Sequence, residues 1–498
     1  MKPILLALLL LLLSVTVVSA QDADTRHYDI GAPTLVDVWV DPYAGNDLNA
    51  GDTPQTALRT ITEAWNRIPM GVELTTGYHI HLQPDEYPED TIPVYWESRY
   101  GTYEHPIIID GNPATVLLAP INLFDSRYVY FFNFRVSPGV DAFHCERCDH
   151  VLLGHMMITG ADPQTFQSQE TVKFNQSTHI YIEESFISGA WDNALDFVAV
   201  QHGHVIQSMI SNAGDWCVYA KGGSAYLTYE ANMIFNCGTG GFSAGQGTGF
   251  QFMVPPFLHY EAYYIRFLNN SVYGVDGAGV GVQGGFNVLI AYNTFESVGA
   301  RSHLLEVVFG GRSCDGQPGD EGRERCDEYA AQGGWGNNLL ADGENYVRIP
   351  NRHVYIYNNV FYNPDAGSQW QQFTIFGPFT GGGQGNAPSP ALADDDLRIV
   401  NNVIWNGPAD HPLGLGENSG CAADNPICNE TQLLRDNAIN TLPINPDGTV
   451  TNYASVPLPP FVADDDHVPP PQLLENVVGL DINGAVRTEQ AGIGAVGN

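Results

Sequence analysis

Short apolar stretches that end on a polar residue recur along most of the chain. In each stretch, alternating apolar side chains precede one Asn, Ser or His, as in Val288-Leu-Ile-Ala-Tyr-Asn293. Between residues 133 and 402 the final polar positions lie 22, 30, 23, 24, 38, 23, 66 and 43 residues apart. Half of these spacings are 22–24 residues, and the others correspond to the same unit with an insertion. A fixed period of this kind indicates a repeat architecture.

A unit of this length predicts one turn of a parallel β-solenoid. Strands rise about 3.3 Å per residue, so one unit accommodates three short strands and three corners. Asn suits a tight corner because it tolerates the left-handed backbone conformation and hydrogen-bonds to nearby backbone groups. A β-sandwich, the alternative, does not explain a repeat with one fixed polar position. Stacked turns would form a ladder from Asn232, Asn270, Asn293, Asn359 and Asn402.

The pattern also predicts a cap and corner insertions. Thr60 and Glu63 form a capping-box pattern on a short amphipathic helix, which would cover the open first turn of the solenoid. The proline-rich segment 455–472 is predicted to run along the surface. Where the spacing stretches, we expect insertions that project from the corners and build one wall of a groove, at residues 251–264, 309–350 and 405–450.

The two ends of the chain carry further motifs. The start contains Gly45-Asn46-Asp47 and Arg59-Thr60-Ile61, and the end contains Asp481, Gly484, Arg487 and Ile493-Gly494-Ala495. With the Asn-bearing repeats, these motifs resemble those of secreted right-handed parallel β-helix proteins of the pectate-lyase-like superfamily. The resemblance implies one all-β domain over residues 35–498, with a cap at about 35–70 and a closing segment at 473–498. It leaves the activity open, because this fold carries lyases, hydrolases, epimerases and non-catalytic surface proteins.

Charge and the N-terminal segment narrow the partners and the location. With 20 Lys and Arg against 56 Asp and Glu, the net charge of −36 argues against nucleic acid and anionic membranes. Residues 1–20 have a basic start, an apolar run and small residues before Gln21, which favours a cleaved signal peptide over a membrane anchor. No later segment is apolar enough to span a bilayer. We expect a monomeric protein that is secreted, periplasmic or attached to the cell surface.

Eight cysteines fall into four local pairs, which is typical of disulfides in an oxidising compartment. The alternative is a zinc site at Cys145-Glu-Arg-Cys148, which His144 and His150 flank. That site lacks a second pair of ligands at the usual spacing, so disulfides are favoured. The pairs are Cys145 and Cys148, Cys217 and Cys237, Cys314 and Cys326, and Cys421 and Cys428.

Alignment of the repeats places the candidate site in one column of five segments. The first two segments are polar, the third and fourth are nearly free of large side chains, and the fifth is polar again. This order predicts an open trough for an extended ligand. Strand alternation places one set of side chains of the second segment on one face, namely Asp215, Cys217, Tyr219 and Lys221, and the other set on the opposite face, namely Trp216, Val218 and Ala220. The segments are Asp192–Val198, Asp215–Lys221, Thr239–Gly245, Gly277–Gln283 and Ala300–Glu306.

Lys221 is the most specific candidate in this column. The chain has only three lysines, Lys2, Lys173 and Lys221, so a lysine in a predicted strand is unusual. A structural ion pair with Asp196 or Asp215 is the alternative to a functional role. Lys173 lies two turns earlier and is interpreted as structural.

These residues suggest proton abstraction from a uronic acid. Such chemistry needs a base and a group that neutralises the neighbouring carboxylate. Ca²⁺ would neutralise it and bridge an acidic polysaccharide to this acidic protein. Turn capping is the alternative role for the aspartates. The predicted catalytic residues are Lys221, Arg301 and His303, the substrate-binding residues are Tyr219, Gln246, Glu306 and Arg312, and the Ca²⁺ ligands are Asp192, Asp196 and Asp215.

The sequence of these aligned segments differs from that of the lyases that the chain resembles. In the alginate-lyase-like β-helix family an Arg-His-Gly segment follows the catalytic lysine by one turn, where this chain has Phe242-Ser243-Ala244-Gly245. The resemblance therefore implies a class of chemistry: a secreted, Ca²⁺-assisted polysaccharide lyase that cleaves a uronate-containing polymer by β-elimination. The alternatives are a non-catalytic glycan-binding or adhesion β-helix and a polygalacturonase-like hydrolase, which needs carboxylates placed close together.

Overall fold

Successive repeats of the chain pair side by side as parallel strands. In the computed structural model, Val151 pairs with Ile180 one turn later, and Ile180 pairs in turn with Gly203. Each complete turn supplies one strand to each of three long sheets, so the chain winds into a right-handed parallel β-helix. The fold class predicted from the sequence is confirmed.

The structure describes residues 26–498 apart from 168–169, 302, 316–318, 337–346, 364–370, 407–412, 414–419, 422–423, 443, 446–448, 466, 471–472, 488–491 and 497–498. The predicted signal peptide, residues 1–20, lies outside the described residues. Within them, no helix combines the length and the apolar character needed to cross a membrane.

Three long sheets form the walls of the β-helix, and their strands are short. The first sheet contains Leu35–Val40, Gly77–Leu82, Ile107–Asp110, Arg127–Phe132, Asp149–Gly154, Thr178–Glu183, Gln201–Ile206, Ser224–Glu230, Ala262–Leu268, Gly285–Ala291, Arg352–Tyr357 and Asp395–Val400. The second contains Glu86–Tyr87, Val116–Leu117, Arg135–Val136, Met157–Thr159, Phe186–Ala190, Met209–Ala213, Met233–Cys237, Ser271–Val275, Thr294–Val298, Val360–Asn363, Val403–Asn406 and Ala438–Ile439. The third contains Trp96–Glu97, Ile121–Phe124, Phe143–Glu146, Val172–Asn175, Leu195–Val198, Trp216–Lys221, Gly240–Gly245, Ala278–Gln283, His303–Val308 and Gln371–Ile375.

Smaller elements lie outside these walls. A three-stranded sheet is formed by Gly247–Gly249, Gly310–Ser313 and Val347–Ile349. The α-helices are α1 (Ile61–Asn66), α2 (Glu321–Ala331) and α3 (Glu430–Asp436), and single 3₁₀ turns occur at Pro54–Thr56, Glu89–Thr91 and Phe250–Phe252.

Alternate apolar side chains of each strand fill the interior of the β-helix. On the third sheet Phe143, Phe174 and Phe197 come from consecutive turns, with neighbouring ring centroids 5.4 Å apart. All three rings are buried. Burying one such ring contributes roughly 2–3 kcal/mol, so the repeated stack is a main source of the stability of the coil.

The predicted asparagine ladder is present at the corner between the first and second sheets. Asn293 shows the repeated contact: its Oδ1 accepts hydrogen bonds from the backbone N and Nδ2 of Asn270, at 2.8 and 3.0 Å. Its own Nδ2 donates to Phe267 O at 2.9 Å and to Asn359 Oδ1 at 3.0 Å. The ladder continues through Asn402 to Asn437, a member that the sequence analysis missed.

The reason given for asparagine at this corner was wrong. The left-handed conformation belongs to the residue before each ladder position, such as Asn269 with φ 54° and Tyr292 with φ 58°. The ladder asparagines instead bridge turns, because their side chains pair backbone groups that the corner leaves without strand partners. Hydrogen bonding between turns, and not backbone strain, selects asparagine here.

A second ladder of stacked rings lies at the corner between the third and first sheets. Neighbouring ring centroids in this ladder are 4.1–5.2 Å apart. Every member has a positive φ, so the rings leave the chain in the same direction on each turn. The members are Tyr128, His150, His179, His202, Tyr226 and Tyr264.

Helix α1 covers the open N-terminal end, as predicted. Thr60 Oγ1 accepts a hydrogen bond from Glu63 N at 2.9 Å, which caps the helix. The carboxylate of Glu63 pairs with Arg67 Nε at 3.0 Å instead of returning to the cap, so one half of the predicted capping box forms. The helix buries Ile61, Ala64 and Trp65.

Four disulfides join the local cysteine pairs. They link Cys145 to Cys148, Cys217 to Cys237, Cys314 to Cys326, and Cys421 to Cys428. The alternative of a zinc site at Cys145 and Cys148 is contradicted, because both sulfurs are used in one disulfide. All four disulfides close short loops, because the two cysteines of each bridge are 20 residues or fewer apart along the chain.

Two of the predicted insertions meet in one covering unit. The strand Gly247–Gly249 pairs in parallel with Gly310–Ser313, beside helix α2. The buried Arg312 fixes this unit, because it donates to Glu261 Oε1 and to the carbonyl oxygens of Leu258 and His259. The insertion that contains 405–450 carries helix α3, and the proline-rich segment packs Phe461 against Tyr264 of the first sheet.

We predict that Asn293→Ala destabilises the protein by about 3 kcal/mol. The change leaves Asn270 N and Phe267 O buried without this partner, and each lost partner costs roughly 1–3 kcal/mol. Urea unfolding of the variant and the parent measures the difference. Asn122→Ala is the matched control, because Asn122 lies on a strand and makes one exposed bond of 3.3 Å to Val94 O. Equal losses in both variants would contradict a special role for the ladder.

Candidate functional site

The register of the third sheet brings the predicted column together. Lys173 pairs with Asp196, Asp196 with Tyr219, Tyr219 with Ser243, and Ser243 with Gly281. This is the alignment predicted from the sequence through four segments, extended backward by one turn to Lys173. The fifth segment is shifted by two residues, since Gly281 pairs with Glu306.

The predicted open trough is filled by Trp216. The prediction of its face was wrong: Cys217 belongs to the interior core, while Trp216 packs outside against Tyr219 with ring centroids 5.7 Å apart. A side chain at Gly240 or Gly281 would collide with the indole. Only glycine fits at these two positions, because the ring of Trp216 lies over them. Trp216 itself is only 3% exposed.

A partly covered pocket lies on the outer face of the third sheet, at the Lys221 end of the strand that begins with Trp216. Its floor comes from the strands Val172–Asn175, Leu195–Val198 and Trp216–Lys221, and its roof from Gly247–Gly249 and Phe252. The roof is held to the floor by Gln176 Nε2, which donates to Phe252 O at 3.1 Å. The volume is about 260 Å³, just below the roughly 300–1,000 Å³ of pockets for drug-sized ligands. One sugar ring is a ligand of suitable size.

Two lysines meet one buried carboxylate in this pocket. Lys221 Nζ lies 3.3 Å from Asp196 Oδ2, and Lys173 Nζ lies 3.8 Å from the same oxygen. Lys173 also donates to Glu170 Oε2 at 2.8 Å. The lysine side chains are 13% and 21% exposed, whereas Asp196 is fully buried beneath them. Lys173, Asp196 and Lys221 form a charged triad, and its ammonium groups are the parts that a ligand can reach.

Burial changes the protonation of the triad. It raises the pKa of Asp196 to about 6 against the opposing charge of Lys221, and the carboxylate of Glu170 adds to the rise. Burial acts in the opposite direction on Lys173, but the carboxylates of Asp196 and Glu170 prevail and raise the pKa of its ammonium group. Asp196 therefore changes its charge close to neutral pH.

Several polar atoms of the pocket have no hydrogen-bond partner among the described residues. They are both carboxylate oxygens of Asp196, Thr248 Oγ1 and Asn175 Oδ1. Buried polar groups are nearly always satisfied, and unsatisfied ones concentrate where a ligand or water binds. The pocket thus offers two cationic donors and several acceptors to an oxygen-rich ligand.

Two predicted substrate-binding residues border the triad. Gln246 Oε1 accepts a hydrogen bond from Lys221 Nζ at 3.0 Å. The ammonium group also lies 4.5 Å from the centre of the Tyr219 ring, a cation–π contact. Tyr219 is buried, and this burial together with the nearby carboxylates of Asp215 and Asp196 raises the pKa of its hydroxyl. Both residues orient Lys221.

Two other predicted site residues, His303 and Glu306, form a separate group, and Arg301 makes different contacts. His303 Nε2 lies 2.9 Å from Glu306 Oε2, and His303 Nδ1 lies 2.9 Å from Thr374 Oγ1. Glu306 Oε1 accepts from Gln283 Nε2 at 2.8 Å. Arg301 is exposed and donates to Gly238 O at 3.2 Å. None of these residues lines the pocket described above.

Arg312 is fixed inside the covering unit. It is 1% exposed, and its guanidinium donates to Glu261 and to three carbonyl oxygens. Direct contact with a substrate is incompatible with this burial. Its position next to Thr248 in the strand pairing gives it a structural part in shaping the roof of the pocket.

The predicted calcium ligands do not form one compact site. Asp192 and Asp215 lie in neighbouring corners, where Asp215 N donates to Asp192 O at 3.0 Å. Burial, and then the charge of Asp215, raise the pKa of Asp192. Asp196 is bound between two ammonium groups, which compete with a cation for its oxygens. Where the structure is described, groups of three ligand atoms within 4.8 Å occur elsewhere, at Asp37, His79 and His81 and at Asp149, His150 and His179.

Sequence reasoning missed Lys173 and Thr248 as parts of this pocket, and Glu170 as the partner of Lys173. The rarity of lysine in this chain could have identified Lys173, because Lys173 is as unusual in this respect as Lys221. Glu170 precedes its strand, and Thr248 comes from the covering unit, so neither belongs to the aligned column. Contacts of that kind depend on how an insertion folds back over the sheet.

Comparisons with known proteins find solved structures that align with this chain at low sequence identity. No protein-family model and no curated protein matches it. Among solved structures, pectate lyase Pel9A aligns over 79% of this chain and 92% of its own length, at 13% identity and a TM-score of 0.42. The polysaccharide lyase Pedsa3628 from Pseudopedobacter saltans, of family PL6, aligns over 79% and 93%, at 11% identity and a TM-score of 0.39. PfbA, a surface adhesin of Streptococcus pneumoniae, aligns over 70% and 75%, at 13% identity and a TM-score of 0.39.

We predict that Asp196→Asn stabilises the protein at pH 8 by about 2–3 kcal/mol and has little effect at pH 3. The pKa of Asp196 in the folded state is about 6, above the ordinary value of 3.8, so folding favours the protonated acid. The cost of ionising it grows as the pH rises from about 4 to about 6 and stays constant above. Urea unfolding across this pH range measures the difference.

Asp149→Asn is the control of opposite sign. Although burial opposes them, hydrogen bonds from His150 and His179 hold the pKa of Asp149 below its usual range. This variant should lose stability at neutral pH. A stabilised Asp149→Asn, or an Asp196→Asn whose stability follows the parent at every pH, would contradict the electrostatic description of the pocket.

Proposed function

We propose that this protein is a secreted, carbohydrate-active β-helix that cleaves a uronate-containing polysaccharide by β-elimination. The observation that carries the proposal is the convergence of Lys173 and Lys221 on Asp196 in one small polar pocket. A uronate residue has the size, the carboxylate and the hydroxyl groups that this pocket can bind. The disulfides and the predicted signal peptide support secretion.

Lys221 is the proposed base. Only the form of Lys221 that has lost its ammonium proton can act as a base, and its amine takes the proton from the ring carbon next to the uronate carboxylate. The electrons of that C–H bond form a carbon–carbon double bond while the bond to the glycosidic oxygen breaks. The leaving oxygen takes up the proton from Lys221, so the amine is regenerated and the new chain end is unsaturated. Gln246 and the ring of Tyr219 hold the amine in place through the contacts described above.

Lys173 is the proposed group that neutralises the substrate carboxylate. Removal of the ring proton places additional negative charge on that carboxylate, and a fixed ammonium group stabilises it. Asp196 is a positioning residue, since it is buried below both lysines and lies within ion-pair distance of both ammonium groups. Asn175 and Thr248 supply side chains for the hydroxyl groups of the sugar.

Calcium takes no part in this mechanism. Asp192, Asp196 and Asp215 do not fit a Ca²⁺ ion, because the carboxylate of Asp196 is compensated by two ammonium groups. The neutralising charge that the sequence analysis assigned to Ca²⁺ is supplied here by Lys173. Incubation with a chelator before the assay separates these two possibilities.

We predict that Lys221→Met lowers the turnover of a uronate polymer by about 100-fold or more, which is the usual contribution of a general base. Purified protein is incubated with polygalacturonate, alginate and glucuronan, and ultraviolet absorbance reports the unsaturated product. Lys173→Met should raise KM as well as lower kcat, because it removes binding of the carboxylate. Arg59→Ala, which changes an exposed cation paired with Asp90, is the control and should match the parent.

The results of this assay show whether Lys221 is the base and whether a metal ion is required. Product from at least one polymer that disappears in Lys221→Met and persists with a chelator supports the proposal. Undiminished product in Lys221→Met, with unchanged circular dichroism, removes this lysine from the mechanism. Loss of product on chelation alone would return the neutralising role to a metal ion.

A non-catalytic glycan-binding function is the second candidate. The observation that favours it is the filling of the predicted trough by Trp216, which leaves a small pocket where a long open groove was expected. A binding protein would show retarded migration in gels that contain the polymer, weakened by Lys173→Met, while no polymer yields unsaturated product.

A further inference from the structure

Two histidines and two aspartates meet on the outer face of the first sheet, near its N-terminal edge. Asp37 pairs with His79 across neighbouring strands, and His81 pairs with Asp110 one strand further along. His79 and His81 are two residues apart on one strand, so strand alternation turns both rings to the same face. The proposed lyase pocket lies on the third sheet, so this cluster belongs to a different surface.

The ligand atoms of three of these residues surround one point. Asp37 Oδ1 lies 2.8 Å from His81 Nε2 and 3.9 Å from His79 Nδ1. All three ligand atoms lie within 4.8 Å of one another. Bonds of about 2.0–2.1 Å to a tetrahedral zinc ion require ligand atoms about 3.3 Å apart, and the two measured distances bracket that separation.

The surroundings of His79 match those of a metal-bound histidine. Its second nitrogen, Nε2, faces the carboxylate of Asp110, with Oδ2 at 3.5 Å. Asp110 is itself held, because its Oδ1 accepts from Asn133 Nδ2 at 2.9 Å. Metal-ligating histidines commonly donate the distal N–H to a carboxylate that a further residue fixes, and this fixes the tautomer.

The ring of His81 is also held in place. Trp39 stacks on it with centroids 4.1 Å apart and an angle of 13° between the planes. Asp37 has 57% of its side chain exposed, so the cluster is open to solvent from that side. Two fixed imidazoles and a movable carboxylate leave a fourth position for water.

The second histidine cluster is used differently. His150 and His179 belong to the ladder of stacked rings, with centroids 4.1 Å apart and planes at 11°. Both direct Nδ1 to Asp149 Oδ1, at 2.7 and 3.2 Å, so this carboxylate fixes the two stacked rings. The planes of these two rings are nearly parallel, whereas those of His79 and His81 are inclined by 38° with centroids 3.8 Å apart. This second cluster, Asp149, His150 and His179, serves as the internal comparison.

We propose that Asp37, His79 and His81 bind a zinc ion with one open position, and that Asp110 positions His79 for it. The ion would join the strands Leu35–Val40 and Gly77–Leu82 at the edge of the first sheet. Nitrogen and carboxylate ligands in this number suit Zn²⁺ better than Ca²⁺, which takes six to eight oxygens.

The test uses the full-length protein, dialysed against chelator and titrated with Zn²⁺ by calorimetry. We expect one equivalent to bind, with Co²⁺ giving the intense visible absorption of a tetrahedral complex. His81→Ala should weaken Zn²⁺ binding at least 100-fold, and Asp110→Asn about 10- to 100-fold. His179→Ala, in the comparison cluster, should bind as the parent does.

The thermal midpoint gives an independent readout, since an ion that binds only the folded state raises it. We expect Zn²⁺ to raise the midpoint of the parent and of His179→Ala, and to leave that of His81→Ala unchanged. No zinc binding in the parent would overturn the proposal, as would equal binding in the parent and in a folded His79→Ala, His81→Ala double variant. Loss of binding in His179→Ala alone would assign the ion to the other cluster.

Discussion

The hydrogen bonding of each turn to the next in a fixed parallel register is the constraint on which the rest of the structure depends. It decides which residues become neighbours, because a side chain meets the one that occupies the same position one turn away. The asparagine ladder, the stack of aromatic and histidine rings, and the row from Lys173 through Asp196 to Tyr219 are all consequences of this register. A slip of one residue would turn each of these rows to the opposite face of its sheet.

The parts of the fold that repeat could be predicted from the sequence, because the same physical requirement returns on every turn. The period, the asparagine positions and the alignment of four segments in the third sheet follow from that repetition. The face of Trp216 could not be predicted, since simple alternation breaks down next to Cys217, whose disulfide holds it in the core. The roof of the pocket could not be predicted either, because an insertion carries no period.

The pocket combines groups that stability alone would not select. A carboxylate buried without a hydrogen bond is costly to ionise, and two ammonium groups offset that cost only in part. Apolar side chains in place of all three charged groups would fill the same space at no greater cost. Retention of charged groups in such a place is common where a protein binds or transforms a ligand, so the cost itself supports a functional reading of the pocket.

The position of the pocket along the coil has a dynamic consequence. Its floor comes from turns in the middle of the β-helix, with several paired turns on either side. In a coil whose turns contact only their neighbours, local unfolding begins at the ends and proceeds inward one turn at a time. Fraying of the first strands or of the closing segment therefore leaves the lysines in register, and the pocket should exchange its backbone amides among the slowest in the molecule.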